Sequence, residues 1–480
     1  MLRELSLSIQ RSSATPLHQQ IRDQLRKSIL QGQLVAGTRL PSSRDVARAL
    51  GVTRNTVIAA FEDLMAEGLL VSRQGSGTFV HPEVLAHTEG MPPIERDPTW
   101  MKKPPLALPV SSPIKAGTIA FRAGQPSLEA LQQDEWKSLW RAVGNRAFPV
   151  DYGDPQGEGE LREQVALFVR RSRGIACTAK DVLITSGTIH ALNLIAQVTL
   201  EQADPMAFEE PGFPLAREVF KRHGATVTGI QVDEDGLRVQ DLPTEQPPVL
   251  IYTTPSHQFP LGYRMSLPRR EALLRYAATH DSLILEDDYE SEFRFDAPLP
   301  ALASMDRHGL VAYIGTLSKV LSPAIRLGYL VASRPLIERI TPLRQLGDYQ
   351  HSDVLQTLAL ELLKRGMLDR HIKNMRKVYA QKRQVLRDAL RETAGLCKLI
   401  GIEAGLHGFL VLPEHIPYQK VMERCAERGV LPEAPNRYYA THAPLNGLVL
   451  GYGGLSIPEI QKGGKVLSEV ILQLASEHAK

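Results

Sequence analysis

The sequence predicts a multidomain protein in which a small α+β head is followed by an α/β body that ends in a smaller α+β lobe. Three observations lead to this fold class. Helical patterns and a hairpin pattern fill the first 80 residues, a proline-rich stretch follows, and later short β-rich runs alternate with helices. We therefore divide the chain into a head (1–81), a linker (82–118) and a body (119–480).

Composition places the chain among soluble globular proteins, with 43% hydrophobic and 23% charged residues. No apolar run approaches the ~20 residues needed to span a bilayer, and the opening MLRELSLSIQ lacks a signal-peptide core. The three widely spaced cysteines form neither a disulfide framework nor a metal-binding pattern. We expect a cytoplasmic protein with no metal and no membrane partner.

The head begins with a helix over residues 17–31, where Leu17, Ile21, Leu25 and Ile29 form one apolar stripe. Ser42 precedes Asp45 at capping-box spacing and opens a second helix that runs to Leu50.

A third helix follows Thr53 and stops at Gly68, with inward-facing Val57, Ala60, Phe61, Leu64 and Met65. Residues 69–80 then read as two strands around a glycine-rich turn. Three helices and this hairpin predict a winged helix-turn-helix, a DNA-reading fold.

The charge of the chain supports contact between the head and double-stranded DNA. Residues 1–80 contain ten Lys/Arg and six Asp/Glu, a net charge of +4, whereas the remaining residues carry −1. Short polar and basic side chains at the start of a recognition helix reach base edges and phosphates, and glycines let a wing approach the minor groove. The predicted DNA-binding residues are Ser43, Arg44, Thr53, Arg54, Asn55, Thr56, Gly75 and Gly77.

Eight prolines between residues 82 and 113 indicate an extended, semi-rigid linker. In the body, we expect strands that alternate with helices such as 187–200 and 214–223, which predicts a largely parallel sheet covered on both faces. The expected strands are 181–185, 206–208, 249–253, 283–286, 311–314 and 328–331. A late pair, 408–412 and 448–451, predicts the smaller terminal lobe.

Several reactive side chains follow these strands and match the needs of pyridoxal phosphate (PLP) chemistry. PLP requires a lysine for its aldehyde, an acid for its ring nitrogen, a flat side chain over the ring, and hydroxyl and N–H groups around its phosphate. Lys319 lies in Gly-Thr-Leu-Ser-Lys, and Asp287 ends an apolar strand. The other candidates are Ser186, Gly187, Thr188, Phe213, Tyr289, Thr316, Ser318 and Arg326.

Two segments of the chain resemble known families. Residues 15–80, with AGTRLPSSRDVARALGVTRNTV, resemble the winged helix of GntR-type bacterial regulators. Residues 119–475, with EDDYESEFRF and GTLSKVLSPAIRLGYL, resemble fold-type I aminotransferases. A GntR head joined to such a body is the architecture of the MocR subfamily of transcriptional regulators, which the whole chain resembles.

The resemblance implies roles for individual residues. Lys319 forms the Schiff base with PLP, Asp287 pairs with the pyridine nitrogen, and Tyr289 pairs with the ring hydroxyl. Ser186, Gly187, Thr188, Thr316, Ser318 and Arg326 surround the phosphate, and Phe213 stacks on the ring. Tyr152 matches a tyrosine that reaches the phosphate of the neighbouring subunit, so a homodimer is implied. Arg44 and Arg54 are the principal DNA contacts.

Two departures from the aminotransferase pattern lower the expectation of efficient transamination. Phe259 stands where aminotransferases usually carry an Asn that touches the ring hydroxyl, and His257 lies just before it. The late strand 447–451 lacks the Arg that usually holds the substrate carboxylate. Either Arg122 or Arg437 could substitute, or the effector lacks that carboxylate. The candidate effector contacts are Arg122, His257 and Arg437.

The leading hypothesis is a PLP-dependent transcriptional regulator whose promoter binding responds to an amine or amino-acid effector that displaces Lys319 and forms an external aldimine. The alternatives are an aminotransferase that carries a DNA-binding head, a regulator for which PLP itself is the signal, and a binding module without PLP.

Overall fold

A computed structural model describes residues 7–84, 115–132, 134–147, 149–295 and 300–478. The chain divides into two compact units, Met1–Ser111 and Ser112–Lys480. Most of the predicted linker, residues 85–114, lies outside the described residues.

The head contains three helices and one hairpin. Its elements are α1 (Leu17–Leu30), α2 (Ser43–Leu50), α3 (Arg54–Ala66), β1 (Leu70–Arg73) and β2 (Gly77–Val80). Ile21, Leu25 and Ile29 of the predicted stripe are buried against apolar residues of α3. Ser42 caps α2 by accepting the backbone N–H of Asp45, and Thr53 caps α3 by accepting that of Thr56. The caps and the stripe therefore begin and orient the helices as the sequence predicts.

The body is built from alternating strands and helices followed by a helix-rich lobe. Its first half contains β3 (Ile119–Ala120), α4 (Asp134–Gly144), α5 (Gly159–Arg173), β4 (Val182–Thr185), α6 (Thr188–Thr199), β5 (Pro205–Glu210), α7 (Pro214–Arg222), β6 (Thr226–Asp233), β7 (Gly236–Leu237), β8 (Leu250–Thr253), α8 (Leu267–His280) and β9 (Leu283–Asp288). Its second half contains α9 (Leu302–Met305), β10 (Val311–Thr316), β11 (Gly328–Val331), α10 (Arg334–Gly347), α11 (Asp353–Lys364), α12 (Met367–Ala389), β12 (Lys398–Ile400), β13 (His407–Val411), α13 (Tyr418–Glu427), β14 (Val430–Leu431), β15 (Gly447–Gly451) and α14 (Ile457–His478).

Eight strands form the central sheet in the order β4-β11-β10-β9-β8-β5-β6-β7. The pairs β10–β9, β9–β8, β8–β5 and β5–β6 are parallel, whereas β11 runs antiparallel to both β10 and β4. The carboxyl ends of β4, β8, β9 and β10 therefore meet at one edge of the sheet, where the first residue of β11 also lies.

Both faces of this sheet are covered. In β4, Leu183 packs into one apolar cluster while its neighbours Val182 and Ile184 pack into another on the opposite face. Every residue of β4, β8, β10 and β11 is buried. This burial explains why the sequence of these strands is continuously apolar rather than alternating.

The C-terminal lobe has its own antiparallel sheet, β12-β13-β15, in which His407 pairs with Gly451. The predicted late strand pair is thus present, with a third strand added. The predicted fold class is confirmed for both units. Within the ranges that the structure describes, no helix is long and apolar enough to cross a membrane.

Candidate functional site

The strand ends at the common sheet edge surround a cavity of about 240 Å³. Its wall comprises Ala123, Gly124, Thr188, Ile189, Phe213, Pro214, Tyr252, Thr254, Phe259, Asp287, Tyr289, Thr316, Ser318, Lys319, Pro323, Arg326, Glu433, Arg437 and Tyr438. The cavity lies where ligands bind in open α/β sheets, outside the carboxyl ends of the strands.

Lys319 projects into this cavity from the loop after β10. Its Nζ donates a hydrogen bond to the carbonyl oxygen of Gly124, 2.9 Å away. Burial lowers the pKa of Lys319, although the negative charges of Glu290 and Asp287 oppose this shift. A side chain at position 124 would lie 2.8 Å from Nζ, so glycine is needed there to admit the lysine. These conditions increase the fraction of neutral, nucleophilic amine.

Asp287 lies at the end of β9 on the floor of the cavity. One carboxyl oxygen, Oδ2, accepts a hydrogen bond of 2.6 Å from the hydroxyl of Tyr252. The other, Oδ1, is buried and has no hydrogen-bond partner among the described residues. Burial raises the pKa of Asp287 to about 7, despite the hydrogen bond from Tyr252. The unused oxygen can therefore pair with a protonated ring nitrogen.

The opposite end of the cavity is polar and positively charged. Arg326 donates to the carbonyl oxygen of Ser186 at 2.8 Å, and Gly187 precedes the N-terminus of α6. A Cβ at Gly187 would lie 3.3 Å from the Arg326 guanidinium. Thr316 accepts the backbone N–H of Ser318 at 3.1 Å, and the Ser318 hydroxyl is buried without a partner among the described residues. Free donors at a helix N-terminus favour an anion.

The side of the cavity nearest the C-terminal lobe carries a charged pair. Arg437 is half-exposed and lies 3.5 Å from Glu433. Glu433 in turn accepts a 2.6 Å hydrogen bond from Tyr438. Of the three residues predicted to contact an effector, Arg437 alone belongs to the cavity wall, whereas Arg122 and His257 do not.

His257 lies behind Tyr289 and is almost fully buried. Its ring contacts Glu290 and the backbone of Gly401. The structure therefore gives this residue no access to a ligand in the cavity.

The two remaining aromatic candidates differ in position. Phe213 lies in the cavity wall, where its ring meets Phe259 edge-on at 6.0 Å. Tyr152 lies outside the wall, with 70% of its surface exposed and its ring 4.5 Å from that of Tyr349. A role for Tyr152 in a neighbouring subunit stays a prediction.

The residues present fit PLP. The buried Oδ1 of Asp287 and the buried hydroxyl of Ser318 both need partners, and a ring nitrogen and a phosphate would supply them. Lys319 lies in the wall of the same cavity. Gly124 leaves room that a side chain would fill, whereas the predicted Ser186 and Gly187 are not part of the cavity wall.

The predicted DNA-binding residues of the head gather where α2 and α3 begin. Arg44, Thr53, Arg54 and Asn55 are exposed, and the Arg54 Nε lies 3.2 Å from the Ser43 hydroxyl. Thr56 is partly buried, and its hydroxyl lies 2.8 Å from that of Thr53. This cap fixes the first turn of α3, on which Arg54 and Asn55 are exposed.

The predicted wing glycines both adopt positive φ angles, +75° at Gly75 and +109° at Gly77. A Cβ on Gly77 would lie 3.2 Å from the Arg39 guanidinium. Glycine at this position therefore allows a basic side chain to lie against the wing backbone.

Sequence reasoning missed several cavity residues. Tyr252 lies within a correctly predicted strand, but nothing in the local sequence shows that its hydroxyl meets Asp287. Gly124 and Glu433 reach the cavity from positions more than 300 residues apart, and the Ala123 N–H donates to Glu433 at 3.3 Å. Gly124 and Glu433 are brought together by the pairing of β3 with β14. This pairing joins distant segments, so no local sequence pattern predicts it.

Comparison with known families matches both parts of the chain. Residues 17–80 match the family of bacterial regulatory proteins known as gntR, and residues 127–437 match aminotransferase class I and II.

Two relatives match nearly the full length of this chain, and a solved structure matches three quarters of it. The probable rhizopine catabolism regulatory protein MocR of Rhizobium meliloti is 31% identical, covering 98% of this chain and 97% of its own. The pyridoxine biosynthesis transcriptional regulator PdxR of Corynebacterium glutamicum is 30% identical over 94% and 95% of the two chains. The crystal structure of Pyrococcus horikoshii kynurenine aminotransferase matches with a TM-score of 0.68 and 27% identity, covering 75% of this chain and 92% of that one.

Proposed function

The chain belongs to the MocR-type subfamily of gntR transcriptional regulators, and from this premise we propose that its binding to promoter DNA responds to an amine ligand in the body. The observation that carries this proposal is the partly buried Lys319 amine, which shares a cavity with Asp287 and Arg326. The aminotransferase class I and II body implies PLP as the cofactor. When bound, PLP supplies an aldehyde that combines reversibly with primary amines.

Each end of the cavity has a distinct task in this proposal. Thr188, Thr316, Ser318 and Arg326 hold the phosphate, and Asp287 holds a proton on the ring nitrogen. Lys319 supplies an amine whose pKa burial lowers, so that it competes with a ligand amine for the same aldehyde. With Lys319 and Arg326 assigned to the aldehyde and the phosphate, Arg437 of the cavity wall could bind a ligand carboxylate. Glu433 already neutralises part of its charge. The pocket therefore favours a primary amine and does not demand an amino acid.

A ligand can shift DNA binding only by the difference in its affinity for two arrangements of the protein. A coupling of 1–3 kcal/mol, typical of allosteric proteins, would change DNA affinity roughly 5- to 150-fold. We propose that the linker over residues 82–118 permits these arrangements by joining the head to the body.

A titration of DNA binding tests this function. A duplex is first selected from random sequence with PLP-loaded protein, and its Kd is measured by fluorescence anisotropy with and without a panel of primary amines. We expect at least one amine to change the Kd by about fivefold or more in wild type loaded with PLP, and no amine to do so in the same protein prepared without PLP. Equal DNA affinity in both preparations under all conditions would exclude the coupling.

Two further measurements identify the chemistry. Borohydride treatment of the loaded protein, followed by peptide mass mapping, should leave a pyridoxyl group on Lys319. Multiple-turnover conversion of amino acids with a keto acid acceptor would instead support an aminotransferase that carries a DNA-binding head.

A second candidate function has its own support, because a relative covering 94% of this chain is described as a regulator of pyridoxine biosynthesis. In that case PLP itself is the signal. Titration of cofactor-free protein with PLP alone would then change DNA affinity, and added amines would change it no further.

A further inference from the structure

A buried cluster of His257, Glu290 and His407 lies directly behind Tyr289. His257 follows β8, Glu290 follows β9, and His407 begins β13 of the C-terminal lobe. Their exposed fractions are 2%, 0% and 0%. The cluster therefore joins the central sheet to the lobe next to a cavity residue, and water does not screen its charges.

The hydrogen bonds of His257 determine where its protons lie. Nε2 is 2.9 Å from the carbonyl oxygen of Gly401, which can only accept, so Nε2 carries a proton. Nδ1 is 2.6 Å from Oε1 of Glu290 and 3.2 Å from the Tyr289 oxygen. One proton is thus shared along the short contact between Nδ1 and the carboxyl group.

The surroundings of Glu290 place this proton on the histidine. Oε2 of Glu290 accepts the backbone N–H of Leu406 at 3.2 Å, and His407 Nδ1 lies 3.2 Å from Oε1. Burial alone would raise the pKa of Glu290, but His407 and His257 outweigh burial and hold that pKa well below its usual range. Glu290 is therefore a carboxylate, and both nitrogens of His257 are protonated.

We propose that His257 is a positively charged positioning residue that, paired with Glu290, directs its Nδ1–H also toward the Tyr289 oxygen and so fixes the position of the Tyr289 phenol in the cavity wall. This inference rests on the proposed use of the cavity for PLP, because Tyr289 is the residue assigned to the ring hydroxyl.

The surroundings of Phe259 support such a role for His257. Phe259 stands where aminotransferases usually carry Asn, and its ring packs edge-on against Tyr289 at 5.6 Å and against His407 at 5.4 Å. A phenyl ring offers no hydrogen bond. His257 compensates for the missing amide by acting through Tyr289 from behind.

Other titratable groups also surround the pair. Glu290 acts electrostatically on Lys319 after β10, Tyr379 of α12 and Tyr452 after β15. On the other side of His257, Arg294 donates to the carbonyl oxygen of Ser256 at 2.6 Å. When the His257 charge is removed, the negative charge of Glu290 acts more strongly on Lys319. This favours the protonated form of the groups bound in the cavity. Removing both charges restores the balance.

The first test measures the charge of His257 without any cofactor. In ¹⁵N-histidine-labelled wild-type protein, the His257 signals are assigned by their loss in His257→Gln. We expect nuclear magnetic resonance to find a proton on both ring nitrogens at pH 7, because each nitrogen faces an acceptor oxygen. A neutral ring at pH 7 would overturn the inference, even if PLP binds as proposed.

The second test uses the absorption spectrum of PLP-loaded protein as a function of pH. We expect His257→Gln to raise the pH of the spectral transition by about one unit, and His257→Gln with Glu290→Gln to return it toward the wild-type value. His223→Gln, which removes a half-buried histidine that bonds Asn193, should leave it unchanged. Circular dichroism and thermal melting confirm that the variants fold.

An unshifted transition in folded His257→Gln would refute the inference. Failure of wild type to bind PLP would refute the proposed function instead, and the resonance measurement would still decide the charge of His257. If His257→Gln does not fold, Glu290→Gln provides the test, since His257 Nδ1 then has no carboxylate to donate to and its proton signal should be lost.

Discussion

At the scale of single residues, Asp287 shows how a ligand site is maintained at a cost in stability. Its carboxyl group is buried, with one oxygen bonded to Tyr252 and the other without a partner among the described residues. Leaving a buried acceptor unmatched destabilises a folded protein by about 1–3 kcal/mol. In the cofactor-free body Asp287 therefore lacks one hydrogen-bond donor, and a positively charged donor in the cavity would supply it.

We predict that Asp287→Asn stabilises the cofactor-free protein at pH 8 and weakens PLP binding. The folded pKa of Asp287 is raised to about 7, above the unfolded value of about 3.9. Its contribution to stability is thus fully present below about pH 4 and is lost as the pH rises toward 7. Between pH 5 and pH 8 the wild type should lose about 3 kcal/mol relative to the variant.

Thermal and denaturant unfolding of both cofactor-free proteins across this pH range measures the difference. Glu286, whose pKa burial also raises to about 7, is present in both proteins, so its effect cancels. A constant difference in stability from pH 5 to pH 8 would contradict the prediction.

At the scale of elements, the N-terminal caps of α2 and α3 fix the helix ends at which the predicted DNA-binding residues lie. Ser42 accepts the Asp45 N–H and donates its hydroxyl to the Asp45 carboxylate at 2.6 Å. We predict that Ser42→Ala lowers the free energy of unfolding of the head by about 1 kcal/mol. Chemical denaturation followed by circular dichroism would show this, whereas Ser76→Ala in the exposed wing should have little effect. Equal losses in both variants would argue against a cap-specific role.

The start of α3 should determine much of the affinity for DNA. Arg54 is exposed at the first turn, beside Ser43. We predict that Arg54→Ala weakens binding by about 1–3 kcal/mol if it pairs with guanine, and lowers the slope of log K against log salt by about one if it pairs with phosphate. Lys27→Ala removes the same charge from an exposed position of α1. It should change neither the DNA affinity nor the salt slope. Unchanged DNA affinity in Arg54→Ala would exclude α3 as the reading helix.

Local signals explain which elements could be predicted from the sequence. The caps at Ser42 and Thr53 and the apolar strands before Asp287 and Lys319 are short-range patterns, and the structure has elements at these positions. Strand β6 (Thr226–Asp233) was missed because only Ile230 along it is buried, so it lacks an apolar run.

The parts of the site that could not be predicted depend on contacts between distant segments. Glu290 meets His407 from 117 positions away, and Arg122 and His257 lie near the cavity without facing it. No local pattern encodes which way such side chains point. For this reason, the sequence located side chains at the strand ends better than the more distant residues that surround them.

At the scale of the whole molecule, the body exposes large hydrophobic side chains that a second copy of the chain could cover. Tyr152 is 70% exposed, and the apolar side chains Val150 and Leu346 are exposed by 105% and 84%. Large apolar side chains exposed together mark interaction surfaces. We predict a homodimer in which these residues are covered, and a two-fold dimer would bind two DNA half-sites. Analytical ultracentrifugation should give twice the mass of one chain, and a single half-site should bind more weakly than a pair.

Mixing two inactive variants shows which subunit uses Tyr152. We predict that Tyr152→Ala weakens PLP binding, and that Lys319→Ala loses the borohydride-stable label. In a mixed dimer, a Tyr152 that serves the neighbouring subunit leaves one site with both an intact lysine and an intact tyrosine. Equal mixing with random reassociation should then restore about one quarter of all sites. If Tyr152 serves its own subunit, every site in the mixture lacks one of the two residues, and no recovery of tight binding should occur.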